Sequence, residues 1–400
     1  MGTRPNSLRA ALVVTYLLLM SFSSLVGLGQ EKRITIRVVT PPSTPKNDTV
    51  FIAGNAPMLG NWNPGAVSLK RENDSVWVRS FTAPQGAVAE FKITRGSWNT
   101  EALYQDGVIP QNFMFRVQDD TTILVRPVTW RDVSPEFKKV ASGGGIVGTV
   151  RYHRGLMGVG LNHPRDVIVW LPPSYEQRLD ERYPVLYMHD GQNVFDPNTS
   201  FIGYDWRADE VADSLIRAGK IREIIIVGIY NTPDRILEYT DTELGRTYAK
   251  FVVEQLKPMI DSTYRTMPDR EHTAVMGSSL GGVISLLFVW WYPDVLSQAG
   301  CLSTAVIPDE QEQLLDDIRN YRGPKKDIRI YLDVGEFEPS LIPGYNALIS
   351  LLKEKGFVKG KDLEYFFDRG AAHNERAWAN RIWRPLEFMF GTRAQVKNEK

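Results

Sequence analysis

Met276-Gly277-Ser278-Ser279-Leu280-Gly281-Gly282 decides how this chain reads. Thr273 to Met276 predicts a buried strand, and Leu280 to Trp291 follows with helical periodicity. A strand passing directly into a helix through Gly277-x-Ser279-x-Gly281 has the nucleophile-elbow pattern. Such a turn is tight, so only small residues two before and two after the serine avoid clashing. The helix N-terminus behind it supplies positive dipole for a developing oxyanion. Ser278 has no glycine two positions to either side, so Ser279 is the candidate nucleophile.

A serine nucleophile needs a base, and with this elbow the chain order is serine, acid, histidine. Of the five histidines, only His373 lies beyond both Ser279 and the last loop able to supply the acid. It follows a predicted strand, Leu363 to Phe367, and a loop, Asp368 to Ala372, and precedes a predicted helix. The acid should sit in the loop past a strand, where it can orient the imidazole and stabilise its charged form. Ile328 to Leu332 runs into Asp333-Val334-Gly335-Glu336-Phe337-Glu338. Glu338, clear of the strand, is favoured, with Asp333 and Glu336 as alternatives. The oxyanion hole should join the Leu280 N–H to one from an earlier strand-end loop. His189-Asp190-Gly191-Gln192-Asn193, after the strand Val185 to Met188, is that loop, and the Gly191 turn is expected to aim the Gln192 N–H.

Further apolar runs at Val167 to Leu171 and Ile224 to Ile229 suit buried parallel strands. Predicted helices at Trp206–Ala218, Arg246–Tyr264, Glu310–Tyr321, Tyr345–Lys355 and Glu375–Phe390 alternate with the strands. That alternation predicts an α/β sheet covered on both faces, over residues 146–392. Residues 31–129 read differently, as short strands broken by turn residues such as Asn63-Pro64-Gly65 and Asn73-Asp74, which predicts a small all-β sandwich. Residues 130–145, with Ser142-Gly143-Gly144-Gly145, are expected to be a linker.

Arg4 and Arg9 precede an apolar run from Ala10 to Met20 and small residues through Gly29, the layout of a signal peptide over residues 1–29. The expected location is secreted or periplasmic. The single cysteine, Cys301, rules out an intrachain disulfide and a thiolate zinc cluster, and its apolar surroundings predict a core position. Zero formal net charge and no basic stripe give no electrostatic basis for binding nucleic acid or an anionic membrane. No metal, cofactor or stable membrane partner is expected.

From about Val167 to Phe390 the chain resembles the esterase family of α/β hydrolases that includes feruloyl and acetyl xylan esterases and siderophore esterases. The matching pieces are His189-Asp190-Gly191-Gln192-Asn193 with Phe195-Asp196, then Gly277 to Gly282, then His373-Asn374-Glu375 with Trp378 and Arg381. The resemblance implies Ser279 as nucleophile, His373 as base and Gln192 as a backbone oxyanion donor. It places the acid three residues after the turn glycine, on Glu338, although aspartate is common there.

The N-terminal stretch resembles a starch-binding-type carbohydrate module, through Phe51 to Asn55, Leu59-Gly60-Asn61-Trp62, Trp77, Glu90-Phe91-Lys92 and Ser97-Trp98. That resemblance implies sugar stacking on Trp62 and Trp98 with Lys92 nearby, whereas Trp77 is expected in the core. Together with the signal-peptide layout, the two resemblances imply an exported serine ester hydrolase that removes acyl groups from a polysaccharide or oligosaccharide. The alternatives are a catecholate trilactone (siderophore) esterase, or a non-catalytic carbohydrate-binding protein on a hydrolase scaffold.

Overall fold

The computed structural model describes residues 30–104, 110, 112–134, 145–201, 203–307 and 312–392. The expected leader, residues 1–29, lies outside them, as do residues 135–144 of the expected linker.

The N-terminal part is a two-sheet sandwich. One sheet runs Lys70–Arg71, Val76–Pro84, Glu31–Val39, Thr121–Val125, and the other Val67–Ser68, Phe51–Gly54, Val88–Thr94, Phe113–Arg116. Glu31–Val39 shows why they pack: Ile34, Ile36 and Val38 alternate with less buried residues and are fully buried. Trp77 joins this core, as expected.

The expected linker starts too early. Thr129–Trp130 pairs antiparallel with Ala102–Leu103, Trp130 is fully buried, and Ser134 is buried by a turn closing on the Trp130 carbonyl. A tryptophan that fills the sandwich core belongs to the module, whatever the glycine-rich composition of residues 142–145.

The second part is an eight-stranded sheet with spatial order Thr149–Leu156, Arg165–Leu171, Ile225–Ile229, Val185–His189, Thr273–Ser278, Gln298–Leu302, Arg329–Gly335, Leu363–Asp368. Two apolar clusters cover its two faces. The sheet is mixed rather than wholly parallel. Arg165–Leu171 pairs antiparallel with both its neighbours, while the remaining pairs are parallel. An apolar run marks burial on both faces but carries no strand direction.

Sequence patterning passed over two strands. Gln298–Leu302 holds Gly300 and no β-branched residue, yet it is wholly buried, with Cys301 in the core. Thr149–Leu156 is a polar edge strand.

Helix boundaries moved at prolines. The helix expected from Tyr345 starts at Ile342, because Pro343 has no N–H to lose in a first turn. The run expected over Glu375–Phe390 divides into Glu375–Arg381 and Trp383–Phe390, with Pro385 in the first turn of the second piece. The run expected over Arg246–Tyr264 starts at Glu243 and contains a π-helical turn, Val252–Leu256, just before Pro258.

Four consecutive neighbours of the sheet, from Thr273–Ser278 to Leu363–Asp368, end on the same edge, because all are parallel. Their C-terminal loops carry Ser279, Ser303, Glu338 and His373. This is the edge at which open α/β sheets bind their ligands.

Candidate active site

Ser279 stands between the strand Thr273–Ser278 and the helix Leu280–Trp291, with φ +56° and ψ −124°. A non-glycine residue with positive φ is strained and needs its surroundings to hold it. Here the Ser279 N–H donates to the Leu302 carbonyl (3.0 Å), and its carbonyl accepts from Ala305 (3.1 Å) and Gly282 (3.0 Å). Ser278 is buried within the strand, whereas Ser279 is half-exposed.

The two elbow glycines are not equivalent. A Cβ on Gly277 would lie 2.6 Å from the backbone C and O of Gly281, whereas a Cβ on Gly281 would meet nothing closer than 3.5 Å. Gly277→Ala is therefore expected to lower stability by about 1–3 kcal/mol or more, as overpacking does, and Gly281→Ala by less than about 1. Urea unfolding midpoints check this; equal losses would show that the elbow is not as tight as drawn.

His373 is half-buried, and its Nδ1 lies 2.9 Å from Glu338 Oε1. Its ring meets Trp378 edge-on at 5.0 Å, and the Trp378 indole N–H donates to Ser303 Oγ (2.9 Å). Glu338 is 1% exposed and also accepts from the Gly335 N–H. Burial alone would raise its pKa, but the hydrogen bond from His373, the His373 charge and the Arg381 guanidinium outweigh it and hold the carboxyl below its usual range.

Asp333 and Glu336 go elsewhere. Asp333 is fully buried, accepts from the Ser303 N–H (2.8 Å) and ion-pairs with Arg381 Nε at 3.0 Å. Burial raises its pKa despite that partner. Glu336 caps the loop before His373 by accepting from the Gly370 N–H (2.8 Å). Among the described residues the side-chain hydrogen bond of His373 is the one to Glu338, and catalytic serine–histidine contacts often tighten only around substrate.

The Leu280 N–H opens its helix, and Gln192 is the second residue of the short helix Gly191–Asn193; neither N–H has an acceptor within its helix. The expected role of Gly191 needs correcting. The left-handed residue is Asp190, at φ +56°. Gly191 is required for close approach instead, since a Cβ there would lie 2.4 Å from the Gly228 carbonyl carbon.

Asp190, within this loop, is buried. It takes two 2.7 Å bonds from Arg235 and one of 2.6 Å from Asn231. Burial pushes its pKa up, and the Arg235 charge and hydrogen bonds pull it below the ordinary value. Neither Arg235 nor Asn231 stood out in the sequence, because a lone Arg some 45 positions away carries no pattern. The backbone of Asn231 also donates to Gln192 Oε1 (3.2 Å).

On the module, Lys92 pairs with Glu101 at 2.6 Å. Trp98 is half-buried, and its carbonyl accepts from Arg131 Nη1 (3.1 Å). Trp62 is half-buried in a turn at φ +59°, and no hydrogen bond or ring contact links it to Trp98 or Lys92 among the described residues. Glu375, two residues past His373, is buried; burial pushes its carboxyl up to about 7, against the Lys92 and His373 charges.

Between about pH 4.5 and 7 the folded protein thus holds a proton on Glu375 that the unfolded chain has released. That contribution to stability is full below about pH 4.5 and is lost as pH rises through about 7. Glu375→Gln is expected to flatten the stability–pH curve over this window; a variant curve parallel to the wild type would contradict it.

Among the described residues, Asp205, Asp209 and Glu210 present oxygens within 4.8 Å of one another. One Asp209 oxygen accepts from the Val147 N–H (2.6 Å), and burial raises Asp205 to about 6 and Asp209 to about 8. Glu210 also contacts Arg207 at 3.3 Å.

A family model described as "Putative esterase" matches residues 158–386. The chain belongs to this esterase family. The esterase has the α/β-hydrolase fold and is a carboxylic ester hydrolase. A second model, "Starch binding domain", matches residues 31–122 of the module.

Bacillus subtilis (strain 168) YbbA is 22% identical over 248 residues, 57% of the esterase chain and 93% of YbbA. A Xylanibacter ruminicola protein, endo-1,4-beta-xylanase/feruloyl esterase, is 26% identical over 226 residues, 56% of the esterase chain but 29% of that larger protein. The crystal structure of the Shigella flexneri enterobactin esterase shares the fold, with TM-score 0.54, 13% identity, and coverage of 89% of this chain and 92% of that one. No helix among the described residues is long and apolar enough to cross a membrane.

Proposed function

We propose that this esterase is an exported serine hydrolase that releases acyl groups from a polysaccharide or its oligosaccharides. The observation that carries the reading is the 2.9 Å contact between His373 Nδ1 and Glu338 on the same sheet edge as the strained Ser279. In this reading Ser279 Oγ attacks the ester carbonyl as His373 Nε2 takes its proton. Glu338 fixes the imidazole tautomer through Nδ1 and stabilises the imidazolium. The Leu280 and Gln192 N–H groups hold the tetrahedral oxyanion. His373 returns the proton to the leaving alcohol, and water, activated by the same imidazole, releases the acid from the acyl-enzyme.

The glycan part of the reading is supported by the starch-binding match of the module and by the feruloyl esterase relative. Export is supported by Arg4, Arg9 and the apolar run from Ala10 to Met20. A fluorophosphonate probe should label the purified protein once, on Ser279; labelling elsewhere or none would sink the nucleophile.

A second reading, hydrolysis of a catecholate trilactone, draws on the fold shared with the enterobactin esterase. Parallel assays on feruloylated glycan, acetylated glycan and trilactone separate the two by their kcat/KM.

A further inference from the structure

Two serines at the ends of adjacent strands are held at positive φ: Ser279, at +56°, and Ser303, at +40° directly after the strand Gln298–Leu302. Ser303 is fully buried, and a strained backbone of this kind persists only where its surroundings fix it. The peptide that joins Leu302 to Ser303 is bonded on both sides. Its carbonyl accepts from the Ser279 N–H (3.0 Å), and its N–H donates to Asp333 Oδ1 (2.8 Å).

The side chain gathers a second set of partners. Ser303 Oγ accepts from the Trp378 indole N–H (2.9 Å) and from Arg381 Nη2 (2.5 Å). A hydroxyl oxygen has two lone pairs, so both are in use. Trp378 and Arg381 are three positions apart on the helix Glu375–Arg381 and so share one face of it. One buried hydroxyl therefore clamps, at two points, the helix that begins two residues after His373.

We propose that Ser303 is a positioning residue for the His373–Glu338 pair, its hydroxyl fixing Trp378 against the imidazole and Arg381 beside the acid. This rests on the serine-hydrolase reading given above and adds to it what holds the base and acid in place.

The geometry gives the hydroxyl leverage on both groups. Among the described residues the side-chain hydrogen bond of His373 is the one to Glu338, so the tilt of the imidazole about that bond is left to packing. The packing partner is Trp378, whose ring meets His373 edge-on at 5.0 Å and lies 5.6 Å from Trp206. An indole anchored through its N–H cannot turn without breaking the bond to Ser303. On the acid side, Arg381 is buried and pairs with Asp333 at 3.0 Å. Burial raises the Glu338 carboxyl, but the hydrogen bond and charge of His373, the Arg381 charge and the Ser303 hydroxyl hold it below its usual range. Ser303 itself has no exposed surface with which to meet a substrate, so its effect passes through these neighbours.

The test assays Ser303→Ala and Ser303→Gly on a p-nitrophenyl acyl ester in the full-length protein, with thermal midpoints recorded. Both variants remove the hydroxyl, but only glycine relieves the positive φ, so a loss caused by backbone strain would be smaller in the glycine variant. The expected result is a roughly 10- to 100-fold fall in kcat in both, the size of a small misplacement of reacting groups, with KM within about threefold of wild type.

Trp378→Phe keeps a ring beside His373 and removes the N–H that Ser303 accepts. In that background Ser303→Ala should cost at least about threefold less in kcat than it does in the wild type, the signature of two residues acting through one contact. Unchanged kcat in both Ser303 variants, a loss confined to KM, or additive losses across the cycle would overturn the inference while leaving the hydrolase reading intact. A wild type that neither turns over the ester nor takes a fluorophosphonate on Ser279 would overturn both.

Discussion

Ser279→Ala is expected to lower kcat on a p-nitrophenyl acyl ester by about 10⁴- to 10⁶-fold, with an unchanged thermal midpoint. The size follows from removing the covalent path while leaving binding and the oxyanion donors in place, and triad serines elsewhere show losses of this order. Stability should hold or rise slightly. Ser279 is held at φ +56°, and alanine there keeps the same backbone bonds to Leu302 and Ala305. Ser278→Ala is the control: its side chain is buried in the strand, so activity should stay within a few-fold of wild type. Loss of activity in Ser278→Ala and retention in Ser279→Ala would reverse the assignment.

The second large effect separates two buried acids five positions apart. Glu338→Gln keeps size and shape but removes the charge that faces His373 Nδ1. The amide can present its NH2 to Nδ1 and favour the wrong tautomer, and a change of this kind lowers kcat by about 10⁴-fold. Asp333→Asn should act on stability instead. It leaves the Arg381 guanidinium, 2% exposed by side chain, without full charge balance, although Asp368 at 3.5 Å retains part of it. Removing one partner of a buried pair costs about 3–5 kcal/mol, and the remaining Asp368 contact should bring the loss toward the low end. Paired kcat and urea-unfolding measurements on the two variants give opposite patterns if the roles are as described; a catalytic collapse in Asp333→Asn at full stability would transfer the role of acid to it.

Much of the site was legible because it follows from local rules. Gly277-x-Ser279-x-Gly281 between an apolar strand and an apolar helix needs no tertiary information, and chain order left His373 as the one histidine able to serve. The choice among Asp333, Glu336 and Glu338 was harder, because all three follow one strand and differ only in where the turn after Gly335 sends them.

What the sequence did not display is long-range and polar. The Asp190–Arg235 pair and the Ser303 hub join residues with no shared periodicity. Strand direction was hidden for the same reason: Arg165–Leu171 is as apolar as its parallel neighbours, and only pairing reveals that it runs the other way. The module boundary failed because residues 142–145 look like a linker, while Trp130 closes a core assembled from residues spread between Ile34 and Val125.

Glu31–Val39, the first described strand, lies in the interior of its sheet, between Val76–Pro84 and Thr121–Val125. Ile34 pairs with Thr121, so this first described strand waits for almost the whole module before its ladder can close. Pairings this distant in sequence form slowly. Until residue 125 is available the leading strand has an open edge on that side. A circular permutant that places Thr121–Val125 directly before Glu31 would remove the wait, and it should fold faster in stopped-flow refolding; an unchanged rate would show that this pairing does not limit folding.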